Sequence, residues 1–573
     1  MVAIGLVAPW WLPVLATTIP TFYKEWLFVL ALGFAGLIAK PLASPIAVRE
    51  RPNPLVLAAL AAIVILLLQI VLFEGVWRKA TLMIFCLALF VFAIVLGQRM
   101  HTQSDNSLAW IAKCLLVAAV GSCLLAAAQL FLPGLPFVLP RAGPRLYANV
   151  AQSNHFADLL WIGCVSVAVL YAGRVLGWKT ALGLIIAILT CSTTSGSRMA
   201  WIYAAGLGLL GAACWLRTSD PWARRLARAL VAVALAYVAV TTLVAMSGIL
   251  ESFGLTSAEQ RVAGGESAES NAQRLWFWHV GLSAAVDHPL LGVGAGRFAG
   301  EGLASAMRVS SAPRAAADAQ AHNAFVQLAA ECGIPLALAA IVALLVWLAR
   351  AWRGASRWPE TFAAIALALP ILIHANLEHP LGYLYFLGLL GLLVGHVHGT
   401  VVANADPVEG TVPAEALRWA SFAVLAVAAF CYVQFVQVER ATQALAAQMR
   451  AGVPPQPTSE LEARLSKVPR WSVFGDYAEL VALIAAVPTA ADATELASRC
   501  ERSIAFGPSP PLLARCATIL QVAGQSERAS YFANALCKIY PEAVPTLIES
   551  MTLVDRTNPA VEDLRSTCVQ RAK

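Results

Sequence analysis

The chain has 573 residues, of which 59% are hydrophobic and only 13% are charged, and its formal net charge is +7. An ordinary soluble domain is about half apolar and about a quarter charged, so a mean hydropathy of +0.70 excludes a water-soluble globular fold. The basic residues form small clusters between apolar runs, as in the loops of membrane proteins. We therefore expect a membrane protein, and the positive charge does not indicate a nucleic-acid partner.

Apolar runs long enough to cross a bilayer recur along most of the chain. They must be helices, because an open strand cannot satisfy its backbone hydrogen bonds in lipid. The first run lacks a basic segment and a small-residue cleavage site, so we interpret it as a retained helix rather than a signal peptide. The sequence predicts an all-α, polytopic bundle of about 12–13 spans. The predicted spans are 3–19, 25–40, 55–73, 79–97, 108–131, 157–172, 180–195, 199–216, 229–248, 323–349, 361–377, 381–402 and 419–437.

Lysine and arginine are concentrated in alternate loops, with dense clusters at 217–228 and 350–357. Short cytoplasmic loops carry an excess of these residues. With an odd number of spans, this asymmetry predicts an N-terminus inside the cell and a C-terminus outside it.

Two regions are expected to lie outside the membrane, on the outer side. Within a transmembrane domain at 1–437, residues 249–322 form a loop too long to be a simple connection. Residues 438–573 form a tail of short amphipathic helices, predicted at 460–467, 476–486, 491–505, 511–522 and 527–540. The helix–glycine turn–helix pattern of 520–541 is typical of a tetratricopeptide unit. Cys500 and Cys516 are candidates for a disulfide across a helical hairpin, and no cysteine or histidine spacing indicates a metal site.

The first polar cluster on the predicted outer side is the segment 141–157, which contains Arg145, Gln152 and Asn154. If residues from 149 onward are helical, Asn149 and Gln152 share a face that can hydrogen-bond sugar hydroxyls or a diphosphate. Each residue taken alone is equally well explained as a polar helix entry at the water interface. The three together favour substrate binding.

The second cluster is Thr193–Arg198, directly before a predicted helix. Exposed backbone N–H groups and the helix dipole make such a start an anion site, and the planar guanidinium of Arg198 matches phosphate oxygens. The alternative is a short turn whose arginine reaches the lipid headgroups.

The third cluster lies in the long loop, where Arg274 precedes Trp276 and Trp278. Arg274 is a second candidate for phosphate binding, although an interfacial aromatic belt explains the two tryptophans equally well. Glycines at 292, 294 and 296 lack the strand and spacing of a dinucleotide-binding motif, so we interpret them as a tight turn.

The fourth cluster places His322 and Asn323 at the start of a helix, with Glu331 deeper in it. The positive helix end should keep His322 neutral and able to accept a proton. Glu331 has no local counter-ion, so a distant arginine is implied. The fifth feature is the turn at 376–385, which contains Glu378, His379 and Tyr383. These three residues either orient other groups or cap the turn.

These motifs resemble a known superfamily. His322-Asn323 followed by Glu331-Cys-Gly-Ile-Pro resembles the motif of O-antigen ligases, O-antigen polymerases and bacterial protein O-oligosaccharyltransferases. The Thr-Ser-Gly-Ser-Arg198 and Arg274-Leu-Trp stretches are similar in order and spacing. The segments 149–157 and 377–386, the helical tail and the N-terminal Pro-Thr-Phe-Tyr-Lys-Glu-Trp resemble the pilin-glycosylating PglL type.

The resemblance implies transfer of a whole oligosaccharide from an undecaprenyl diphosphate carrier to a serine or threonine hydroxyl of a periplasmic protein such as pilin. It implies that His322 is the general base, that Arg198 and Arg274 bind the diphosphate, and that no metal or other cofactor takes part. Arg145, Gln152, Asn154 and Asn323 are further substrate-binding candidates, and Glu331, Glu378, His379 and Tyr383 are orienting candidates. The expected location is the bacterial inner membrane, in contact with membrane lipids, with the site on the periplasmic face.

Three alternatives remain at this stage. An O-antigen ligase that joins glycan to lipid A core, or an O-antigen polymerase, shares the chemistry but not the acceptor. A flippase for lipid-linked sugars should show an inverted repeat and polar groups at mid-bilayer, whereas the polar clusters here gather on one predicted face. A non-catalytic assembly factor with a helical tail is the third.

Overall fold

The computed structural model describes residues 1–39, 52–104, 106–310, 312–314, 316–354, 359–402, 414–543 and 545. All regular structure within these residues is helical, as predicted, and they contain no strand. The end of the predicted tail, including Cys568, lies outside the described residues.

In the part of the chain that the structure describes, nine helices precede the long predicted loop, and six of them (α3 to α6, α8 and α9) are long and apolar enough to cross a membrane. The nine helices are α1 (Val2–Trp11), α2 (Phe22–Leu37), α3 (Pro54–Leu72), α4 (Trp77–Gln103), α5 (Ser107–Phe131), α6 (Ser153–Ala172), α7 (Trp178–Thr194), α8 (Met199–Arg217) and α9 (Pro221–Ser247).

The region between α9 and the next membrane-length helix is itself helical. It consists of α10 (Ile249–Ser252), α11 (Ala258–Ala263), α12 (Glu266–Asp287), α13 (Phe298–Arg308) and α14 (Ala324–Cys332).

Four further helices complete the membrane part. Two of them, α15 and α18, are long enough to span a membrane, which makes eight such helices in the described residues. The four are α15 (Ile334–Gly354), α16 (Pro359–His374), α17 (Leu384–Val402) and α18 (Ala414–Arg450). Helices α1, α7, α16 and α17 are apolar but shorter. Helix α18 is continuous over 37 residues, so the domain boundary predicted after residue 437 falls inside it.

Two predicted spans differ from the structure. The span predicted at 3–19 is a helix of only ten residues, about 15 Å long, because Pro13 forces Leu12 into an extended conformation. The span predicted at 323–349 is two helices, α14 and α15, separated by Gly333. Gly333 has φ +93°, and a Cβ at this position would lie 2.2 Å from the carbonyl oxygen of Leu290. Only glycine fits there, so the helix must break.

Helix α6 lies at the centre of the bundle. In its 18-residue apolar stretch, 94% of the residues are buried. Helices α4 and α17 approach each other closely because glycines face the partner backbone. A Cβ on Gly97 would lie 2.2 Å from the Leu392 carbonyl oxygen, and one on Gly395 would lie 2.0 Å from that of Ile94. Small residues allow this kind of approach between membrane helices, where van der Waals packing replaces the hydrophobic driving force.

Among the described residues of the tail, five short α-helices follow α18 and lie close to their predicted positions. They are α19 (Ser459–Leu465), α20 (Gly475–Ala485), α21 (Ala493–Phe506), α22 (Pro510–Val522) and α23 (Ser526–Ile539). The predicted disulfide between Cys500 and Cys516 is confirmed; it links α21 to α22 with their Cα atoms 5.6 Å apart.

The tail packs on the helical loop and on one end of the membrane bundle. Leu303 and Ala306 of α13 share an apolar core with the tail helices α20 to α23. Arg78, at the start of α4, forms a 2.7 Å ion pair with Asp476 of α20. Phe22 of α2 stacks on Phe435 of α18, with 3.6 Å between the ring centroids. The tail therefore contacts both the helical loop and one end of the membrane bundle.

Candidate functional site

A carboxylate in the turn after α16 is the centre of a polar network. Oε1 of Glu378 accepts hydrogen bonds from Nη2 of Arg274 at 2.8 Å and from Nδ2 of Asn154 at 3.1 Å. Its other oxygen, Oε2, lies 3.4 Å from Nδ1 of His322. Three residues that are distant in sequence thus meet on one side chain.

The network extends to both remaining arginines of the predicted clusters. Arg145 donates from Nη2 to Oδ1 of Asn154 at 2.8 Å and from Nε to the Ser195 carbonyl at 2.7 Å. Ser270 of α12 accepts from Nη2 of Arg198 at 3.0 Å and from Nη1 of Arg274 at 3.1 Å. The structure therefore brings Arg145, Asn154, Arg198, Arg274, His322 and Glu378 into one site.

Arg274 is held in a fixed orientation at this site. Besides Ser270 and Glu378, it donates from Nε to the Leu377 carbonyl at 3.0 Å, and its side chain is only 19% exposed. A guanidinium has five N–H donors, and three are used here. Among the described residues, two donors remain for an anion such as a phosphate, which a planar guanidinium can bind through two oxygens.

His322 adopts an unusual backbone conformation in the loop before α14. Its φ is +53°, which is uncommon for a residue other than glycine and is typical of functional sites where the surroundings hold strain. Its ring stacks on Phe277 of α12, with centroids 5.3 Å apart and an interplanar angle of 17°. Nε2 lies 3.8 Å from Oδ2 of Asp318. The imidazole is thus held between an aromatic face and two carboxylates.

The charge state of His322 differs from the expectation based on the helix dipole. Burial lowers the pKa of His322, but contacts with Asp318 and Glu378 outweigh it and raise the pKa to about 9. The helix end was expected to keep this histidine neutral, and that expectation is wrong because two carboxylates lie closer to the ring than the dipole does. Burial raises the pKa of Glu378, whereas His322, His374 and Arg274 lower it to about 2, so this carboxylate remains ionised.

Asn323 caps helix α14. Its Oδ1 accepts from the backbone N–H groups of Phe325 and Val326 at 3.0 and 3.1 Å, and its Nδ2 donates to the Asn376 carbonyl at 3.3 Å. These contacts join α14 to the turn that carries Glu378, and the substrate-binding role of Asn323 stays a prediction.

We expect Asn323→Ala to destabilise the protein by about 0.5–2 kcal/mol, because an N-cap side chain is lost. Thermal unfolding of the purified chain measures this effect. Asn271→Ala is the matched control, because Asn271 is exposed on α12. Equal melting temperatures for the two variants would contradict the capping role.

Glu331 lies away from the network and orients a different loop. Its carboxylate accepts from the Phe298 N–H at 3.4 Å, and it interacts electrostatically with Lys79. The counter-ion of Glu331 is therefore Lys79, and backbone N–H groups are its hydrogen-bond donors. The distant arginine inferred from the sequence is not the counter-ion. The predicted glycine turn packs here, with φ between +68° and +103° at its three glycines.

The remaining predicted residues border the site without joining the network of Glu378. Gln152 precedes α6, and its buried Oε1 has no hydrogen-bond partner among the described residues. Tyr383 packs edge-on against His155 with ring centroids 4.4 Å apart. Burial, together with the nearby charges of Lys79 and His322, lowers the pKa of His379 to about 4, so this imidazole is neutral.

Asn149 does not share a helical face with Gln152, because α6 begins only at Ser153. Its Oδ1 accepts from the Leu139 N–H at 2.9 Å, and its Nδ2 donates to the carbonyls of Trp11 and Phe137. Lys24 of α2 donates to the Asn149 carbonyl. This fully buried residue therefore fixes the turn that precedes α6.

Several residues of the site region were missed from the sequence. Asp318 and Ser270 lie in a loop and a helix whose placement the sequence does not reveal. Below the network, Asp158 of α6 accepts from the hydroxyl of Tyr203 and contacts Nδ1 of His374, and both Asp158 and His374 are completely buried. An aspartate inside an apolar span was a visible signal, because such residues are costly in membranes and are usually functional.

Two family models and one curated relative match parts of this chain. Residues 182–341 match the family described as "O-Antigen ligase", and residues 362–550 match the one described as "Virulence factor membrane-bound polymerase, C-terminal". A general O-oligosaccharyltransferase of Acinetobacter baylyi (strain ATCC 33305 / BD413 / ADP1) is 26% identical over 291 residues. That match covers 50% of this chain and 48% of the relative, so it spans about half of each protein.

Proposed function

We propose that this chain is a member of the O-antigen ligase superfamily and that it transfers an oligosaccharide from undecaprenyl diphosphate to serine or threonine hydroxyls of periplasmic proteins such as pilin. The observation that supports the proposal best is the network in which Glu378 joins Arg274, Asn154 and His322. It combines a base with cationic groups, which are the two requirements of this reaction. The eight helices of membrane-spanning length in the described residues support a multi-pass membrane protein, and we propose the inner membrane as its location, with the site and tail on the periplasmic side.

The base must activate a poor nucleophile. Glu378 lies next to Nδ1 of His322, so it stabilises a proton on that nitrogen and leaves the Nε2 lone pair for the acceptor. In the proposed step, Nε2 takes the proton of the serine or threonine hydroxyl as its oxygen attacks the anomeric carbon. The bond between this carbon and the diphosphate oxygen breaks, and undecaprenyl diphosphate leaves with the electron pair. Attack from the opposite side inverts the anomeric centre.

The leaving diphosphate needs its charge neutralised. Arg198 and Arg274 share Ser270 as a hydrogen-bond acceptor, so their guanidinium groups are close together, and Arg145 reaches the same network through Asn154. Guanidinium groups held in position by a folded site stabilise developing negative charge without reorganisation. We propose that these arginines serve the transfer without a catalytic metal ion.

The proposed base predicts a dependence on pH. A general base acts only when deprotonated, and the pKa of His322 is raised to about 9. Below that pH, kcat/KM should therefore rise about tenfold per unit and level off above it. Asp318→Asn removes one of the carboxylates that raise this pKa, so the inflection should move to lower pH and the rate at pH 7 should increase.

Initial rates with purified lipid-linked donor and acceptor protein between pH 6 and 10, about the range set by this pKa, measure the profile. Asp287→Asn is the matched control, because Asp287 is an exposed carboxylate at the end of α12. An inflection that stays in place in Asp318→Asn, or moves to higher pH, would contradict the proposed electrostatics.

A second candidate is ligation of the glycan to lipid A core. The match of residues 182–341 to the O-antigen ligase family favours it, because that match includes Arg198, Arg274 and His322. The two functions share the base and the arginines and differ only in the hydroxyl that attacks.

Intact-mass spectrometry of periplasmic pilin-like proteins tests the proposal. Cells that make a lipid-linked glycan are compared with and without this chain, and a strain lacking the glycan serves as control. A mass increment of one whole glycan, present only when chain and glycan are both present, supports transfer to protein. An altered lipopolysaccharide ladder without such an increment would instead support the ligase function.

A further inference from the structure

A second group of ionisable side chains lies on α4, α16 and α17. The turn that carries Glu378 joins the opposite ends of α16 and α17. His101 is in the last turn of α4, Glu360 is in the first turn of α16, and His396 is in the second half of α17. One ligand atom from each of the three lies within 4.8 Å of the others. Along α16, Glu360 is about 21 Å from His374, so this cluster is remote from the network of Glu378.

His396 has the features of a metal ligand that its surroundings hold in place. It is completely buried, and its Nδ1 lies 3.3 Å from the hydroxyl oxygen of Ser107. Its Nε2 has no hydrogen-bond partner among the described residues, although Oε2 of Glu360 is 3.5 Å away. Metal-bound histidines usually donate their other ring N–H to an oxygen. When Ser107 accepts from Nδ1, the Nε2 lone pair faces a carboxylate oxygen, and a cation held between these two atoms would satisfy both.

The backbone brings the second imidazole close. Glycines at the contact of α4 and α17 let these helices approach, and the rings of His101 and His396 are 4.7 Å apart at an interplanar angle of 84°. Two imidazoles and one carboxylate are a common ligand set for zinc with one open position. Tetrahedral ligands at zinc are about 3.3 Å apart, close to the separation between Glu360 and His396, so only His101 must approach, by about 1.5 Å at most.

We propose that His101, Glu360 and His396 bind one divalent transition-metal ion such as Zn²⁺. Imidazole nitrogens favour such an ion over Mg²⁺ or Ca²⁺, which prefer oxygen ligands. The ion joins the ends of α4, α16 and α17, two of which carry site elements at their opposite ends. It is separate from the transfer chemistry, and the inference does not depend on the proposed function. The sequence spacing does not indicate this site, because the three ligands come from three helices.

Metal titration of the full chain tests the proposal. The protein is purified in detergent without a polyhistidine tag, treated with a chelator, and titrated with Co²⁺ and then with Zn²⁺. We expect one Co²⁺ per chain, visible absorption bands of a tetrahedral ion, and loss of these bands when Zn²⁺ is added. Zn²⁺ should also raise the melting temperature of the wild-type protein.

The key variant is Glu360→Gln, because this side chain is 39% exposed and its replacement should leave folding intact. It should weaken Co²⁺ binding at least about tenfold and abolish the rise in melting temperature. His398→Ala, on the same helix but outside the cluster, and His322→Asn, in the distant site, should both bind Co²⁺ like the wild type. Absence of the bands in the wild-type protein, or equal binding by Glu360→Gln, would overturn the proposal.

Discussion

Replacing His322 by asparagine should lower the rate of glycan transfer by a factor of about 10² to 10⁴, the usual contribution of a general base. Asparagine is the preferred substitution because it tolerates the left-handed backbone, and His322 has a φ of +53°. An amide cannot accept the hydroxyl proton, so the loss reports on the base rather than on backbone strain. Transfer of glycan to acceptor protein is measured with purified enzyme and lipid-linked donor.

His288→Ala is the matched control for this variant, because His288 is exposed in the loop after α12. Its rate should equal that of the wild type. The residual rate of His322→Asn should also lose the dependence on pH near 9, because the titrating group has been removed. A variant that keeps both the rate and the pH profile would exclude His322 as the base.

The second large effect is expected for Glu378→Gln. Glu378 is a mostly buried carboxylate with a 2.8 Å ion pair to Arg274, and its side chain is 12% exposed. Removing one partner of a buried pair leaves the other charge uncompensated, which costs about 3–5 kcal/mol. Separately from this loss of stability, removal of the carboxylate that positions Arg274 and His322 should lower the rate by a factor of about 10² to 10³, a barrier increase of about 3–4 kcal/mol at about 1.4 kcal/mol per tenfold change. The substitution preserves shape, so the melting temperature distinguishes lost chemistry from lost folding.

A double-mutant cycle separates the two roles of Glu378. If the carboxylate acts by orienting His322, then the double variant Glu378→Gln, His322→Asn should be about as slow as His322→Asn alone, because residues that act as a unit are not additive. Glu415→Gln is the control substitution, because it removes a carboxylate at the start of α18, outside the network of Glu378. Fully additive losses would show that Glu378 acts only through Arg274 or through stability.

The membrane fold was largely predictable from composition and periodicity. An α-helix pairs its backbone N–H and C=O groups within one segment, which an open strand in lipid cannot do. Each long apolar run was therefore expected to be a helix. The exceptions have local causes that hydropathy does not measure. Pro13 stops the first helix after ten residues, and Gly333, with φ +93°, divides a run of apolar residues into two helices. The tail helices and the bridge between Cys500 and Cys516 followed from amphipathic spacing and a plausible hairpin.

The sequence identified candidate residues of the site but not their arrangement in space. Arginines, asparagine and histidine stood out because polarity is costly next to a membrane. Nothing in their spacing showed that Glu378 would join Arg274 to His322, since the three lie in different segments. The same limit explains why the sequence did not show that Asn323 caps a helix, and why Glu331 was given an arginine when it interacts with Lys79.

Charge states depend on tertiary contacts most of all. From the chain alone, His322 is a histidine at a helix start, and the dipole of that helix favours the neutral form. In the folded protein, Asp318 and Glu378 reach the same ring from two other segments and raise its pKa to about 9. The class of protein, its helices and its reactive residue types follow from local sequence, because they depend on neighbours along the chain. Partners, protonation and the cluster of His101, Glu360 and His396 follow only from packing, because they depend on neighbours in space.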